Sequence, residues 1–522
     1  MLTLVLKIDK KGKFMRIKSL WISEYKNLKD FTIEFDTSSP LNIIIGANGS
    51  GKSNFLEALA LIFKDLYLIK ESIYYDDKLL ENRSFSNSLH LFSSINFSYS
   101  LEMIDKEKDI IKIQYESNEA YVFYKNQVEF SLYDGLIFLP ENILVNYSGN
   151  SNRIKNIVNR FLLEKNKLEK ELSDLVDFDE YYEDAKDYDF NGLSLYSERI
   201  IELIILSNFY LEKNYESELF KTIGIKEFNN FELSFNIPKE LPKGYGTYRY
   251  EGKERFNYEE IKYHFLDGDS RKILEILAKF GDVKTSSYSG YISKIGFNPV
   301  QLYQLFEELE NEYFIRHEDF FEYLFSLFKS IKVRDIKLHF MINKGDEPIM
   351  VETNDLSEGE RQFILNTGIS DLFSNSKSIF LLDEPDTYLH PNWQRLLTDF
   401  LNRNHIKGQI LMTTHSPITL GKVKRESIKI FKDGKVYVPS SDSMNRDVAE
   451  ILGEIMDVSP RPSDAVNIIK EFEKAIAFKQ IDKAKIIYER LNHVLSKDDP
   501  FILKANSTIK RMEILNEKNN KN

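Results

Sequence analysis

The chain has 522 residues, and 70 Lys+Arg against 82 Asp+Glu give it a formal net charge of −12. Its length predicts two or three domains, and the acidic balance excludes a protein that coats nucleic acid through its overall charge. The absence of cysteine excludes disulfides, thiolate zinc sites and cysteine nucleophiles, and it fits a cytoplasmic protein.

The first 150 residues read as strands around one helix. The first residues carry a short apolar run followed by lysines, the reverse of a secretory signal, and either Met1 or Met15 can be the start. Two short strands are predicted within 16–35, a buried strand at LNIII, and a helix after Ser53. Alternating segments within 94–130 predict an antiparallel meander, and another strand follows near 136–145.

The predicted secondary structure changes twice along the rest of the chain. From 153 to 329 apolar residues recur at helical spacing, without a sustained heptad pattern, which predicts a mostly helical insertion. Strand patterns return after it, and the tail is helical again. We therefore predict an α/β head domain split by a mostly helical insertion. Its four parts are 1–150, 151–330, 331–440 and a helical C-terminal tail at 441–522. No run of 18 apolar residues occurs, so no membrane partner is expected.

The segment GANGSGKS matches G-x-x-x-x-G-K-[ST] between a predicted strand and a predicted helix. Glycines there let backbone N–H groups face phosphates, and the helix N-terminus attracts negative charge. Lys52 can reach the β- and γ-phosphates of ATP, and Ser53 can ligate Mg²⁺. The nucleotide-binding residues predicted here are Gly46, Asn48, Gly49, Ser50, Gly51, Lys52, Ser53 and Asn54.

Three further elements follow in order along the chain. LSEGERQ contains Ser357, the run IFLLDEP ends in Asp383 and Glu384, and TTHSP contains His415. Beside a phosphate loop, Asp383 can hold Mg²⁺ and Glu384 can orient or deprotonate the attacking water. Taken singly, each has an ordinary explanation: a helix N-cap, a solvated strand end, and a histidine bonded to backbone. The ordered set favours one joint ATPase site.

This set resembles the ATP-binding-cassette (ABC) ATPases, and within them the soluble RecF and structural-maintenance-of-chromosomes (SMC) branch. The resemblance makes GANGSGKS the Walker A motif, LSEGERQ the signature and IFLLDEP the Walker B motif. It implies that Lys52, Glu384 and His415 are catalytic, with His415 as the switch histidine. ATP is then held between two heads, with Ser357, Gly359 and Glu360 supplied by the second copy, in a head-to-head dimer or higher oligomer.

Two details depart from the family pattern. His390 stands where an aspartate is usual in the D-loop, the segment that begins at Asp386. The family's Q-loop glutamine has no clear counterpart: Gln127 lies in a strand-like run, and the better-placed loop at 146–149 contains no glutamine.

The insertion is much shorter than the coiled coil of chromosome-maintenance proteins, and no cysteine is available for a hook. The chain is therefore more similar to RecF and to the ATPases of phage-defence systems, such as Septu PtuA and retron- or PARIS-associated proteins. Since no nuclease motif follows His415, we expect a separate nuclease or toxin partner. The alternatives are a RecF-like recombination or repair ATPase and, less favoured, the ATPase subunit of a membrane transporter.

Two surfaces leave alternatives open. One set of basic residues can form either a DNA-binding track or a solvated face. These residues are Arg153, Lys155, Arg160, Lys165, Lys167, Lys329, Lys332, Arg334 and Lys337. Apolar residues at helical spacing around Phe472 and Ile487 predict a tail hairpin. That hairpin can pack on its own head, form a dimer or bind a partner.

Overall fold

The computed structural model describes residues 15–79, 95–105, 107–117, 121–147, 153–173, 192–195, 200–212, 217–235, 247–250, 253–256, 268–285, 292–312, 319–321, 324–325, 333–344, 347–374, 377–403, 406–444, 446–456, 459 and 461–519. It forms two compact units, Met1–Pro439 and Ser440–Asn522. None of the helices it describes is both long and apolar enough to span a bilayer.

The strands are β1 (Arg16–Tyr25), β2 (Leu28–Glu34), β3 (Leu41–Gly46), β4 (Tyr99–Ile104), β5 (Ile110–Tyr115), β6 (Val122–Lys125), β7 (Val128–Phe130), β8 (Asn142–Tyr147), β9 (Gly192–Leu195), β10 (Ile225–Phe235), β11 (Thr247–Tyr250), β12 (Lys253–Phe256), β13 (Asp282–Thr285), β14 (Ile292–Phe297), β15 (Val333–Lys344), β16 (Glu347–Glu352), β17 (Ser378–Asp383), β18 (Gln409–Thr413), β19 (Ile428–Lys432) and β20 (Lys435–Tyr437). The helices are α1 (Lys52–Leu79), α2 (Leu132–Leu136), α3 (Arg153–Ser173), α4 (Ile201–Glu212), α5 (Glu218–Ile223), α6 (Gly268–Phe280), α7 (Pro299–Asn311), α8 (Glu358–Leu372), α9 (Pro391–Leu401), α10 (Pro417–Leu420), α11 (Val448–Glu454), α12 (Ser463–Ala477), α13 (Ile481–Val494) and α14 (Pro500–Asn519).

A seven-stranded sheet forms the centre of the first unit, in the order β20-β19-β3-β18-β17-β8-β9. All neighbours pair in parallel except β19 and β20. Strands β17 and β18 are buried along their whole length, as apolar strands of a parallel sheet covered on both faces should be. The predicted α/β fold class is therefore confirmed.

A six-stranded antiparallel sheet, β2-β1-β4-β5-β6-β7, confirms the predicted meander. Helix α1 shares one core with both sheets, since its Phe55 ring lies 6.2 Å from the Phe31 ring of β2 and 5.9 Å from the Phe431 ring of β19. The phosphate loop is thus attached to a helix that is largely buried over its described side chains, residues 52–72.

Among the described residues of 151–330, helices contain more residues than strands, and the strands β9 to β14 occur beside them. Strand β10 was not predicted. Its buried residues Ile225, Phe228 and Phe231 are three apart, as on a helix, because register shifts near Glu227 and Asn230 interrupt the alternation. A spacing of three between buried residues therefore does not by itself distinguish a helix from a bulged strand.

Strand pairing also crosses the predicted boundaries. Strand β9 pairs with β8 of the head across 150/151, and β15 pairs with β10 of the insertion across 330/331. The five-stranded sheet β13-β14-β10-β15-β16 therefore combines both sides of the second boundary. The predicted insertion thus shares one sheet with each of the two predicted halves of the head.

Helix α4 of the insertion packs directly on α8, the helix that follows Ser357. The main-chain oxygen of Gly368 accepts a hydrogen bond from Asn208 Nδ2 at 3.2 Å. A Cβ added to Gly368 would lie 2.4 Å from Cγ2 of Ile204, so only glycine allows this approach. The insertion and the signature segment are therefore joined by a close helix–helix contact.

The second unit has a core of its own. Helices α12 and α13 confirm the predicted hairpin, and α14 adds a third helix. Their shared buried residues are Phe472, Ala475, Ala484, Ile487, Leu491, Ile502, Ala505 and Ile509. The predicted apolar stripes are thus covered within the unit itself.

Replacing Gly368 with alanine should destabilise the protein by about 1–3 kcal/mol, because the added methyl group overpacks the contact between α4 and α8. Gly453→Ala in α11 is the matched control, since nothing lies within 4 Å of its added Cβ. That control should stabilise its helix by about 0.5–1 kcal/mol. Urea denaturation would measure both, and equal effects of the two substitutions would contradict the packing argument.

Candidate nucleotide-binding and hydrolysis site

The predicted phosphate loop connects β3 to α1, with Lys52 as the first helical residue. Gly49 and Gly51 have φ values of 80° and 106°, which residues with a Cβ rarely adopt. A Cβ on Gly51 would also lie 2.8 Å from Leu28 Cδ2. The loop is thus a tight backbone cradle at a helix N-terminus, and this shape fits a phosphate group.

Lys52 is buried, and its Nζ donates a hydrogen bond to the main-chain oxygen of Gly46 at 2.9 Å. Burial lowers the pKa of Lys52, while the charges of Glu384 and Asp383 oppose this shift. The lysine therefore lies under the loop in the field of both carboxylates, as its predicted phosphate contact requires.

Asn27 supports the loop from outside and was missed by the sequence analysis. Its Nδ2 donates to the oxygen of Gly49 at 2.9 Å, and its Oδ1 accepts from Asn54 Nδ2 at 2.7 Å. Asn54, which was predicted to bind nucleotide, thus donates its side-chain amide to Asn27. Asn48, predicted for the same role, is exposed. Ser50 Oγ is buried without a hydrogen-bond partner in the structure. The predicted turn between β1 and β2 was the only signal for Asn27.

The Walker B carboxylate lies beside the loop. Asp383 ends β17, and its Oδ2 accepts a hydrogen bond from Ser53 Oγ at 3.1 Å. Burial raises the pKa of Asp383, and hydrogen bonds from Thr413 and Ser53 oppose this rise. A hydroxyl and a carboxylate in contact are hard oxygen ligands of the type that Mg²⁺ prefers, so these two residues fit the predicted metal role.

Glu384 and His415 face each other at the same edge of the sheet. His415 Nε2 lies 3.3 Å from Glu384 Oε1, and each side chain is 36% exposed. Burial and the positive charge of Lys52 lower the pKa of His415, although nearby carboxylates oppose the shift. The imidazole is therefore mainly neutral near pH 7, and the pair is open to an incoming phosphate.

The D-loop is tied to the histidine loop by buried hydrogen bonds. The Asp386 carboxylate accepts from Thr414 Oγ1 at 2.5 Å and from Thr419 Oγ1 at 2.6 Å. His390 caps α9, because its Nδ1 accepts from the N–H of Asn392 at 3.4 Å. An aspartate commonly has this N-cap role, which accounts for the departure at this position.

The signature residues form a capping box at the start of α8. Ser357 Oγ accepts from the N–H of Glu360, and Glu360 Oε2 accepts from the N–H of Ser357 at 2.6 Å. A Cβ on Gly359 would lie 3.1 Å from the oxygen of Tyr388, so Gly359 packs on the D-loop. Within the described residues, no hydrogen bond joins 357–360 to the phosphate loop.

The loop at 146–149, where a Q-loop glutamine was sought, begins at the end of β8. Tyr147 at the end of β8 pairs with Asp383, and the neighbouring Asn146 donates from Nδ2 to Asn366 Oδ1 at 2.6 Å. Ser148 and Gly149 lie outside the described residues. Gln127 lies in the turn between β6 and β7, in the other sheet. An asparagine on the signature helix thus contacts the strand end where the glutamine was sought.

The basic residues are only partly described. Arg153, Lys155 and Arg160 are exposed on α3, whereas Lys165 forms an ion pair with Glu71 at 3.2 Å. The flanking residues Lys329 and Lys332 lie outside the described residues. The DNA track stays a prediction.

Comparison with known proteins identifies the family to which this chain is similar. Residues 15–420 match the family described as AAA ATPase domain. The retron Vc95 probable ATPase of Vibrio cholerae serotype O1 biovar El Tor is 29% identical over 154 residues, which cover 28% of this chain and 29% of that protein. Septu protein PtuA of Bacillus thuringiensis is 28% identical over 192 residues, which cover 35% of this chain and 44% of PtuA. The chain thus spans less than half the length of these curated relatives.

Among solved structures, the recombination mediator protein RecF-ATP of the RecFOR pathway is 16% identical with a TM-score of 0.32. The similarity covers 82% of this chain and 99% of that one. Because the family match extends over more than half of the chain, the protein belongs to the AAA ATPase domain family.

Proposed function

We propose that this ATPase binds ATP with Mg²⁺ at the phosphate loop and hydrolyses it with Glu384 as the base. The observation that carries the proposal is the convergence of Ser53, Asp383, Glu384 and His415 at one edge of the sheet. Mg²⁺ bound by Ser53 and Asp383 would neutralise charge on the phosphate oxygens.

Side chains of the protein carry out the remaining steps of hydrolysis. Lys52 supplies positive charge under the loop, where it stabilises the negative charge of the transferred phosphoryl group. Glu384 orients a water and takes its proton as the water oxygen bonds to the γ-phosphorus, while the bond from that phosphorus to the β–γ bridging oxygen breaks and ADP leaves. The neutral His415 imidazole, whose Nε2 lies 3.3 Å from Glu384 Oε1, has one N–H group and can donate it either to the carboxylate or to a phosphate oxygen.

We further propose that each site is completed by a second copy. Ser357 and Glu360 are satisfied by each other rather than by the phosphate loop of their own chain, and Ser357 is exposed. A helix N-terminus that begins at an exposed serine can approach the phosphates of ATP bound to a partner. ATP binding would then close two heads, and hydrolysis would let them open.

At the cellular level, we propose a cytoplasmic regulator of an effector nuclease or toxin in antiphage defence. Similarity to a retron ATPase and to Septu PtuA supports this proposal. The tail core is built from three packed helices and contains none of the proposed ATPase residues. We propose that the effector chemistry belongs to a separate protein.

Replacing Glu384 with glutamine should remove the proton acceptor while leaving the phosphate contacts in place. We expect ATP affinity within about threefold of wild type, a loss of turnover of at least about 100-fold, and an ATP-dependent dimer in size-exclusion chromatography with light scattering. Lys52→Ala is the control and should lose ATP binding itself. Wild-type turnover by the glutamine variant would exclude Glu384 as the base.

A mixture of Lys52→Ala and Ser357→Arg proteins tests the composite site. Each protein alone should be inactive, but a mixed dimer retains one phosphate loop and one signature that are intact. Random pairing gives mixed dimers half of the time with one working site of two, so the mixture should recover roughly a quarter of wild-type turnover. A mixture that stays inactive although both proteins fold and dimerise would falsify the shared site.

Co-expression with the proteins encoded beside it tests the cellular role. We expect a nuclease or toxin to co-purify, and its activity to depend on whether the ATPase is wild type or Glu384→Gln. Two results together would instead favour the repair alternative. They are a several-fold stimulation of ATP hydrolysis by duplex DNA in the isolated protein, and no co-purification of a protein encoded by the neighbouring genes.

A further inference from the structure

Thr413 occupies a central position between the two carboxylates. It is the last residue of β18, is fully buried, and lies opposite Asp383 in the parallel pairing of β17 with β18. Its hydroxyl donates to Asp383 Oδ1 at 2.5 Å and accepts from the N–H of Glu384 at 3.0 Å. One side chain thus holds the carboxylate of the first residue and the backbone of the second.

The backbone of Glu384 needs such a contact. Its φ of 50° lies in the left-handed region, which is unfavourable for a residue with a long side chain. The same N–H also lies 3.2 Å from the main-chain oxygen of Thr413, so both oxygens of Thr413 face it. This turn lets Asp383 face Ser53 while Glu384 faces His415.

We propose that Thr413 is a positioning residue for hydrolysis: its hydroxyl fixes the Asp383 carboxylate and holds the Glu384 turn, so that the two carboxylates keep separate orientations. The inference rests on the roles proposed above for Asp383 and Glu384. Thr413 need not touch ATP or water, since it acts through these two residues.

Ser53 cannot replace Thr413 in this position. The Ser53 hydroxyl also contacts Asp383, but Ser53 is itself a proposed Mg²⁺ ligand and has no hydrogen bond to Glu384. Removing the Thr413 hydroxyl would leave the Glu384 N–H with only the longer main-chain contact. Both the metal-binding and the water-activating sides of the site should then be impaired together.

The test compares Thr413→Val, which removes the hydroxyl at nearly constant volume, with Thr413→Ser, which retains it. Thr398→Val is the matched control, because Thr398 is equally buried but its hydroxyl lies only near the main-chain oxygens of Gln394 and Thr419. For each variant, kcat and KM for ATP are measured. ATP affinity is measured by calorimetry in Mg²⁺ and in EDTA.

Thr413→Val should lower kcat roughly 10- to 100-fold, the effect of losing a hydrogen bond to a charged group. It should also reduce the gain in ATP affinity on adding Mg²⁺, with affinity in EDTA within about twofold of wild type. Thr413→Ser and Thr398→Val should retain wild-type values. If Thr413→Val fails to fold, as judged by thermal melting, Thr413→Cys offers the same comparison with a weak donor.

Two results would overturn the proposal. One is a wild-type kcat and a wild-type Mg²⁺ effect in Thr413→Val; the other is an equal loss in the valine and serine variants, which would indicate a packing role. Wild-type turnover in Glu384→Gln would instead exclude the proposed base, and the Mg²⁺-dependent affinity of the Thr413 variants would still decide the present inference.

Discussion

The site depends on the parallel register of three neighbouring strands, β3, β18 and β17. Thr413 pairs with Ile44 on one side and with Asp383 on the other. All three strands therefore end at one edge of the sheet, although residues 46, 383 and 415 are far apart in the chain. A slip of one residue would turn every side chain to the opposite face, and Asp383 would then leave Ser53.

The other end of β18 is held by a buried amide. Gln409 accepts from the N–H of Ile17 at 2.7 Å and donates to the oxygen of Ile17 at 3.0 Å. A side chain thus imitates the pairing of a strand and joins the seven-stranded sheet to β1 of the six-stranded sheet. With Gln409 at one end and Thr413 at the other, side-chain hydrogen bonds anchor both ends of β18, which supports its register.

Prediction from sequence succeeded where the information is local. The phosphate loop, the strand that ends at Asp383 and the Ser357 cap each depend on residues within a few positions, and the structure places them as their patterns indicate. It failed for β10, whose bulges imitate helical spacing. It could not find Asn27 or Thr413, because their roles arise from contacts with Gly49 and Asp383 that only the folded chain brings close.

Helix α8 connects the site to the insertion. At its start Gly359 packs on the D-loop, in its middle Asn366 contacts the end of β8, and near its end Gly368 packs on α4. Ten of its residues are buried, and close-packed interiors transmit a displacement rather than absorb it. Since α4 shares aromatic contacts with β10 through Phe209 and Phe228, 4.6 Å apart, a shift of α8 would reach the five-stranded sheet. If a second copy binds ATP at Ser357, the insertion is the part of the head that this binding would move.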